Sequence, residues 1–254
     1  QKPNIILILA DDLGYGDVQC LYLRAKTQTP HLNRLAREGM TFTNAHSPSA
    51  VCTPTRYAIL TGRYCWRSAL KSGLLYGYDQ PLIEPGRPTV ASLLHRAGYH
   101  TACIGKWHLG LPWALDPTSG YRHDPATYHR ATRHDVRLDQ PLGRGGPVDV
   151  GFDEFYGIPA SLDIEPYGYL QNRQFSRPLA DSVPAQTQND PDYARDFWRA
   201  GAAEAGFSHQ QTLPRLTGRA VAYLQNRRNQ KAPFFLYLPL TAPHTPWVPE
   251  ARFR

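Results

Sequence analysis

The stretch NIILILADD, residues 4–12, decides the fold. Apolar residues run from Ile5 to Ala10 without alternation, which predicts a strand buried on both faces, as in a parallel sheet. The run stops at Asp11-Asp12, at the carboxyl end of that strand, where open α/β sheets bind ligands. The pattern recurs twice. HTACI, 100–104, runs into GKWHLG, and FFLYLPL, 234–240, runs into TAPHTP. Helices are predicted between these strands. One covers about 30–38, with Thr29 as cap, Pro30 at its first position, Leu32, Leu35 and Ala36 on one face, and Gly39 at its end. A second starts just after Cys52, capped by Thr53 and opened by Pro54, with Ile59 and Leu60 toward the core and Gly62 after its last turn. A third covers about 88–97, and a fourth about 213–228, with Thr212 as cap and Leu213, Leu216, Ala220, Val221 and Leu224 on one face. MTFTNAH, 40–46, reads as a short strand, and GFDEFYGIPASLD, 151–163, as loop with one or two short strands. Residues 111–150 read as long surface loops and 176–211 as irregular. Strand–helix alternation of this kind gives a layered α/β sandwich, its central, mostly parallel mixed sheet flanked by helices.

Composition agrees. The 254 residues include 23 Pro and 20 Gly, which suits an α/β enzyme with long loops better than a helical bundle. A net charge of +7 favours an anionic partner, though a solvated basic surface explains the charge as well. The four cysteines, Cys20, Cys52, Cys65 and Cys103, have neither zinc-type spacing nor the density of a disulfide scaffold. The run Ile5–Ala10 is too short for a membrane span or a signal-peptide core. The chain begins at Gln1 rather than Met, as after removal of an export signal or trimming.

The chemistry-bearing residues cluster after strands. Asp11 and Asp12 are adjacent acids that repel each other unless a cation neutralises them, and all-oxygen ligation suits Ca²⁺ or Mg²⁺. A bare Asp-Asp pair is more commonly a solvated turn. Cys52 sits at a helix start, where orphan N–H groups and the dipole lower a thiol pKa, and Arg56 adds positive charge one turn on. A lone cysteine there is more commonly core. Lys106 and His108, two apart on an extended segment, share a side and can bind an anion and move a proton. His244 follows the last apolar strand and precedes prolines that stiffen its loop.

Together these residues resemble one family. CTPTRYAILTG, 52–62, is similar to the sulfatase signature Cys-x-Pro-x-Arg followed by Thr-Gly, with Thr55 where many members have Ser. GYHTACIGKWHLG, 98–110, resembles the second sulfatase signature. PNIILILADDLGYGD, TPHLNRLAREGMTFTNAH, GFDEFYGIPASLD and PFFLYLPLTAPHTP also read like the family, so the resemblance spans essentially the whole chain. It implies an alkaline-phosphatase-like fold and a formylglycine-dependent sulfuric ester hydrolase. Cys52 would be oxidised by a maturation enzyme to formylglycine, whose hydrated form attacks sulfur and later expels sulfate. Asp11, Asp12 and residue 52 would ligate Ca²⁺ (Mg²⁺ also fits), with the substrate sulfate in the same shell. Arg56 would hold the diol, Lys106 a sulfate oxygen, and His108 the second hydroxyl. Ser161 would hydrogen-bond nearby, and His244 would contact the bridging oxygen and protonate the leaving alcohol.

Family chains are longer, and the later Asp-Asn pair and lysine of their sites lie past Arg254. The chain therefore reads as the N-terminal catalytic portion, residues 1–254, incomplete at its C-terminal end. Trp66, Arg67, Lys71, Tyr76, Tyr78, Trp113, Tyr121, Arg122 and His123 lie in two loops and suit a sulfated carbohydrate, rings stacking on sugar and cations meeting anions. Ordinary loop packing explains any one of them equally well. Such substrates lie outside cells, which points to an exported setting: periplasmic, extracellular or lysosomal. No nucleic-acid partner and no membrane span is expected. Two alternatives stay open: a phosphonate or phosphate ester hydrolase of the same superfamily, and a catalytically silent polyanion-binding protein.

Overall fold

The structure, a computed structural model, describes residues 2–187 and 197–253. Its main sheet has six strands in the order β1-β10-β2-β5-β6-β7. These are β1 (Ile5–Asp11), β2 (His100–Lys106), β5 (Glu154–Ile158), β6 (Leu170–Gln171), β7 (Gln174–Phe175) and β10 (Phe234–Pro243). β1, β10, β2 and β5 run parallel, and β6 and β7 add antiparallel strands at one edge. The sheet is thus mostly parallel and mixed, as expected. Two small hairpins stand apart from it. One pairs β3 (Ala114–Leu115) with β4 (Val136–Arg137), the other β8 (Asp181–Val183) with β9 (Gly201–Ala203).

Helices α1 (Pro30–Glu38), α2 (Cys52–Thr61), α3 (Val90–Arg96) and α4 (His209–Arg227) complete the fold. One face of the sheet packs with α2, α3 and the loops in a core that includes Tyr57, Leu60, Trp107, Phe152, Phe155 and Tyr237. The other face meets α4 through Leu216, Ala220, Tyr223, Leu236 and Ile104. Gly105 allows the close approach of β2 to β10. Its φ is 145°, and a Cβ there would meet the Pro239 carbonyl oxygen at 2.0 Å.

Several expectations need correction. β1 is an edge strand, so only Ile5, Leu7 and Leu9 pack on the core while Ile6 and Ile8 are exposed. MTFTNAH forms no strand, because it joins no sheet edge; Met40 and Phe42 stand exposed. α1 forms where predicted, yet its apolar face stays open, with Leu35 67% exposed. α2 starts at Cys52 with Val51 as cap, so Thr53 and Pro54 are its second and third residues. Pro54 is tolerated there because first-turn N–H groups have no helical partner. Gly62 ends α2 in a left-handed conformation at φ 68°, as its sequence position suggested.

α3 is capped by Thr89, whose hydroxyl accepts from Ser92 N. α4 begins four residues before its predicted start, capped by Ser208, and the Thr212 hydroxyl bonds back to the Ser208 carbonyl and to Tyr169. Val221 faces outward and Tyr223 inward, because the buried stripe of α4 runs through residues 209, 212, 216, 220 and 223. Residues 111–150 are irregular but not all surface: Leu111, Trp113, Ala131, Val136, Leu142 and Val150 are core. Within 176–211 the hairpin β8–β9 interrupts the irregular chain, and 188–196 lie outside the described residues.

His209 opens α4 inside an aromatic cage of Trp198, Tyr167 and Phe207, with ring centroids 4.2, 5.0 and 5.2 Å away. Burial pushes its imidazole from 6.5 down to about 4, so the folded protein keeps it neutral where the unfolded chain takes up a proton. This contribution to stability is whole above the unfolded value and is lost as pH falls toward the folded one. In denaturant titrations between about pH 7.5 and about pH 5, the wild type should lose on the order of 2 kcal/mol more than His209→Phe. Equal losses would show that His209 is protonated in place.

Candidate active site

The site stands on the carboxyl ends of the four parallel strands. Asp11 ends β1, His244 follows β10, Lys106 ends β2, and Ser161 lies three residues beyond β5. α2 brings Cys52 and Arg56, one turn apart, against these ends.

At its centre is a buried ion cluster. Arg56 Nη2 donates to Asp11 Oδ1 at 2.9 Å, and Lys106 Nζ donates to Asp11 Oδ2 at 2.6 Å. Lys106 is 0% exposed, Arg56 1% and Asp11 4%. Arg56 Nη1 also donates to the Lys106 carbonyl at 2.8 Å, and Lys106 Nζ to Ser161 Oγ at 3.0 Å. Burial alone would raise the Asp11 carboxyl, but Lys106 and Arg56 hold it below its ordinary value. Two buried cations face one buried carboxylate, so the pocket carries surplus positive charge.

His108 Nε2 donates to the Leu75 carbonyl at 2.8 Å, which leaves Nδ1 as its free ring nitrogen. The Thr53 hydroxyl donates to the His108 carbonyl at 3.0 Å and accepts from Leu75 N at 3.2 Å, so α2, β2 and the 75–80 loop share one joint. The His244 ring takes the opposite tautomer. Nδ1 donates to the Thr245 carbonyl at 2.7 Å, and Nε2 stands 3.6 Å from Asp12 Oδ2. Both rings lie against Cys52. Burial pushes the Cys52 thiol up, but the two imidazoles and the Lys106 charge bring it down to about 5. Burial drives the His108 imidazole down. It pushes His244 the same way, but contact with Cys52 and the Thr245 carbonyl lifts that ring above its ordinary value.

All eight sequence-derived positions, Asp11, Asp12, Cys52, Arg56, Lys106, His108, Ser161 and His244, therefore fall in one constellation, Asp12 being its exposed rim. One geometric expectation changes. Lys106 and His108 do not share an extended segment, because His108 turns the chain at φ 55°. Asp12 is likewise left-handed, at φ 63°. Among the described residues only Asn172 joins them as a non-glycine with positive φ, and such strain persists where the surroundings impose it. The Leu75 carbonyl and Tyr237, buried beside Arg56, were not picked out by sequence reasoning, and Thr53 was read only as a helix cap. Their residue types carry no chemical flag, and only the fold places them there.

Around the site, buried Arg56 Nε, His108 Nδ1, Tyr237 Oη and Thr241 Oγ1 lack hydrogen-bond partners among the described residues. In this tautomer His108 Nδ1 is an acceptor, and a hydroxyl on residue 52 would donate to it more strongly than a thiol does. The cation question is different. Asp11 and Asp12 have the hard oxygen donors that Ca²⁺ takes, but it needs six to eight ligands, and both Asp11 oxygens are already engaged. Among the described residues no group of three or more His, Cys, Asp or Glu could hold a metal. The residues present fit part of such a site and do not complete one.

The sequence profile of the sulfatases matches residues 3–253, and the chain belongs to the sulfatase family. It is 32% identical over 281 residues to an N-acetylgalactosamine-6-O-sulfatase of Bacteroides thetaiotaomicron, covering 100% of this chain and 50% of that protein. A solved protein described under glycosaminoglycan metabolism by Bacteroides thetaiotaomicron superposes with a TM-score of 0.76 at 30% identity, covering 100% of this chain and 54% of that one. Phosphonate monoester hydrolase of Agrobacterium radiobacter shares the fold, with a TM-score of 0.51 at 22% identity over 98% of this chain and 43% of that one. The chain thus spans about half the length of these relatives.

Replacing Asp11 by Asn keeps its shape and removes the one carboxylate that, among the described residues, pairs with both Lys106 and Arg56. In metal-free buffer, Asp11→Asn should lower unfolding stability by about 3–5 kcal/mol, read as a fall in the urea midpoint at constant slope. A change below about 1 kcal/mol would mean that the cations are compensated by other groups.

Proposed function

We propose that this chain is the catalytic portion of an enzyme that hydrolyses the sulfate ester of a sulfated carbohydrate. The observation that carries this reading is the convergence of two buried cations and two imidazoles on residue 52, against a single buried carboxylate. Surplus positive charge in a dry pocket favours an anion, and residue 52 is the group best placed to attack it. The Bacteroides relative is an N-acetylgalactosamine-6-O-sulfatase, which makes 6-sulfated N-acetylgalactosamine the leading candidate substrate.

The residues divide the work. Lys106 has three N–H donors, and Asp11 and Ser161 take two, leaving one for a sulfate oxygen. Arg56 Nε and His108 Nδ1 orient oxygens on residue 52, and His108 Nδ1 is the atom through which a proton can leave. His244 Nε2 faces the pocket and, with its raised proton affinity, can protonate the departing alcohol. Formylglycine made from Cys52 by a maturation enzyme would supply an oxygen nucleophile and a way to release sulfate afterwards. A divalent cation, Ca²⁺ or Mg²⁺, bound in part by Asp11, Asp12 and residue 52, would polarise the sulfate.

We also assign residues 1–254 to one catalytic unit that needs further chain to finish its cation shell. The open side of β1 and the exposed apolar face of α1 support this reading. Work outside the cytoplasm, where sulfated polymers are found, belongs to the same proposal; among the described residues no helix is long and apolar enough to cross a membrane.

The protein coexpressed with a formylglycine-generating enzyme should yield a residue-52 peptide lighter by the mass that separates CH₂–SH from CHO. Joined to the further chain that finishes the cation shell, it should release sulfate from 6-sulfated N-acetylgalactosamine or an aryl sulfate, Cys52→Ala should abolish that release, and residues 1–254 alone should turn over little. Faster turnover of a phosphate diester than of any sulfate ester would overturn the substrate assignment. An unmodified thiol without turnover would leave polyanion binding as the function.

A further inference from the structure

We propose that Arg130 and Tyr76, backed by Arg199, form a second anion subsite beside the catalytic pocket. It would hold a carboxylate or an additional sulfate on the sugar chain whose sulfate ester is cleaved. The proposal rests on the sulfatase reading and adds to it the substrate class: a sugar with at least two anionic groups.

The Arg130 guanidinium lies over the Tyr76 ring, its Cζ 3.4 Å from the centroid, and Arg199 Cζ stands 5.9 Å from the same ring. Tyr76 directly follows Leu75, whose carbonyl holds His108. Arg199 reaches the site from the other side. Its backbone N–H and Nη1 donate to the Asp163 carbonyl at 3.2 and 3.0 Å, and Nη1 also meets Asp163 Oδ2 at 2.9 Å. Asp163 lies two residues beyond Ser161, which touches Lys106. The ring and its cations are thus wedged between the two segments that carry His108 and Ser161.

Arg130 is held in place from both sides. The Tyr128 hydroxyl and the Ala131 N–H both donate to buried Asp79 at 2.9 Å, and Asp79 also accepts from the Tyr76 N–H. The backbone around Arg130 is therefore tied to the turn that carries Tyr76. Stacking occupies the face of a guanidinium and leaves its N–H edge free for an oxyanion. Arg199 spends part of its charge on Asp163. Arg130 is exposed, and among the described residues no carboxylate lies within ion-pair distance of it. The buried Asp79 carboxylate acts on Arg130 across space without forming an ion pair, so the preorganised guanidinium edge, beside a pocket proposed to take sulfate, is suited to a second anion on the same ligand.

Calorimetry on the purified protein can decide. The probes are N-acetylgalactosamine 6-sulfate, its 4,6-disulfated form, and a disaccharide pairing the 6-sulfated sugar with a uronate. The wild type should bind at least one doubly anionic probe roughly tenfold more tightly than the singly anionic one, the value of one charged hydrogen-bonded contact. Which of the two gains affinity identifies the anion as sulfate or carboxylate. Arg130→Gln should erase that ratio, and Arg130→Lys should restore only part of it, because an ammonium keeps the charge without the planar fork. The ratio of kcat/KM values for the same pairs should move in parallel. No preference in the wild type, or a preference that survives Arg130→Gln, overturns the subsite. Absence of turnover on every probe would count against the sulfatase reading alone, since the affinity ratio still reports on Arg130.

Discussion

The structure depends on Asp11 being shared by Lys106 and Arg56. This one carboxylate ties the end of β1 to the end of β2 and to the second turn of α2. None of the three charges is tolerable alone at such burial, since an isolated buried ion costs several kcal/mol. Each makes the other two possible. The cluster also sets the electrostatics of everything nearby: with two cations against one acid, it draws negative charge to residue 52.

Strain and satisfaction of polar groups follow from that arrangement. Asp12 and His108 hold left-handed backbones on either side of the cluster, where non-glycine residues rarely go. The Thr53 hydroxyl and the Leu75 carbonyl brace His108 in the tautomer that leaves Nδ1 facing residue 52. Among the described residues, Arg56 Nε and His108 Nδ1 remain without hydrogen-bond partners, as do Tyr237 Oη and Thr241 Oγ1.

Legibility varied with the physics of each element. The strands were readable because burial demands long apolar runs, and all three runs sit in the parallel part of the sheet. Helix ends were less so. The start of α4 carries His209, Gln210 and Gln211, which break the apolar period, and Thr53 could cap or donate elsewhere with equal chemical ease. Aromatic residues misled: Tyr78 and Trp113 read as sugar-stacking loop residues but are buried in the core. Arg130 carried no signal at all, since its role comes from Asp79 fixing its neighbours.

By itself the sequence determined the α/β class, the strands after which candidate site residues fall, and, through two long signatures, four of those candidates: Cys52, Arg56, Lys106 and His108. Tertiary structure decided which atoms meet: that Asp11 is spent on Lys106 and Arg56, that the two histidines take opposite tautomers, and that Arg130 stacks on Tyr76. Those outcomes depend on contacts between residues up to 95 positions apart, which local pattern cannot encode.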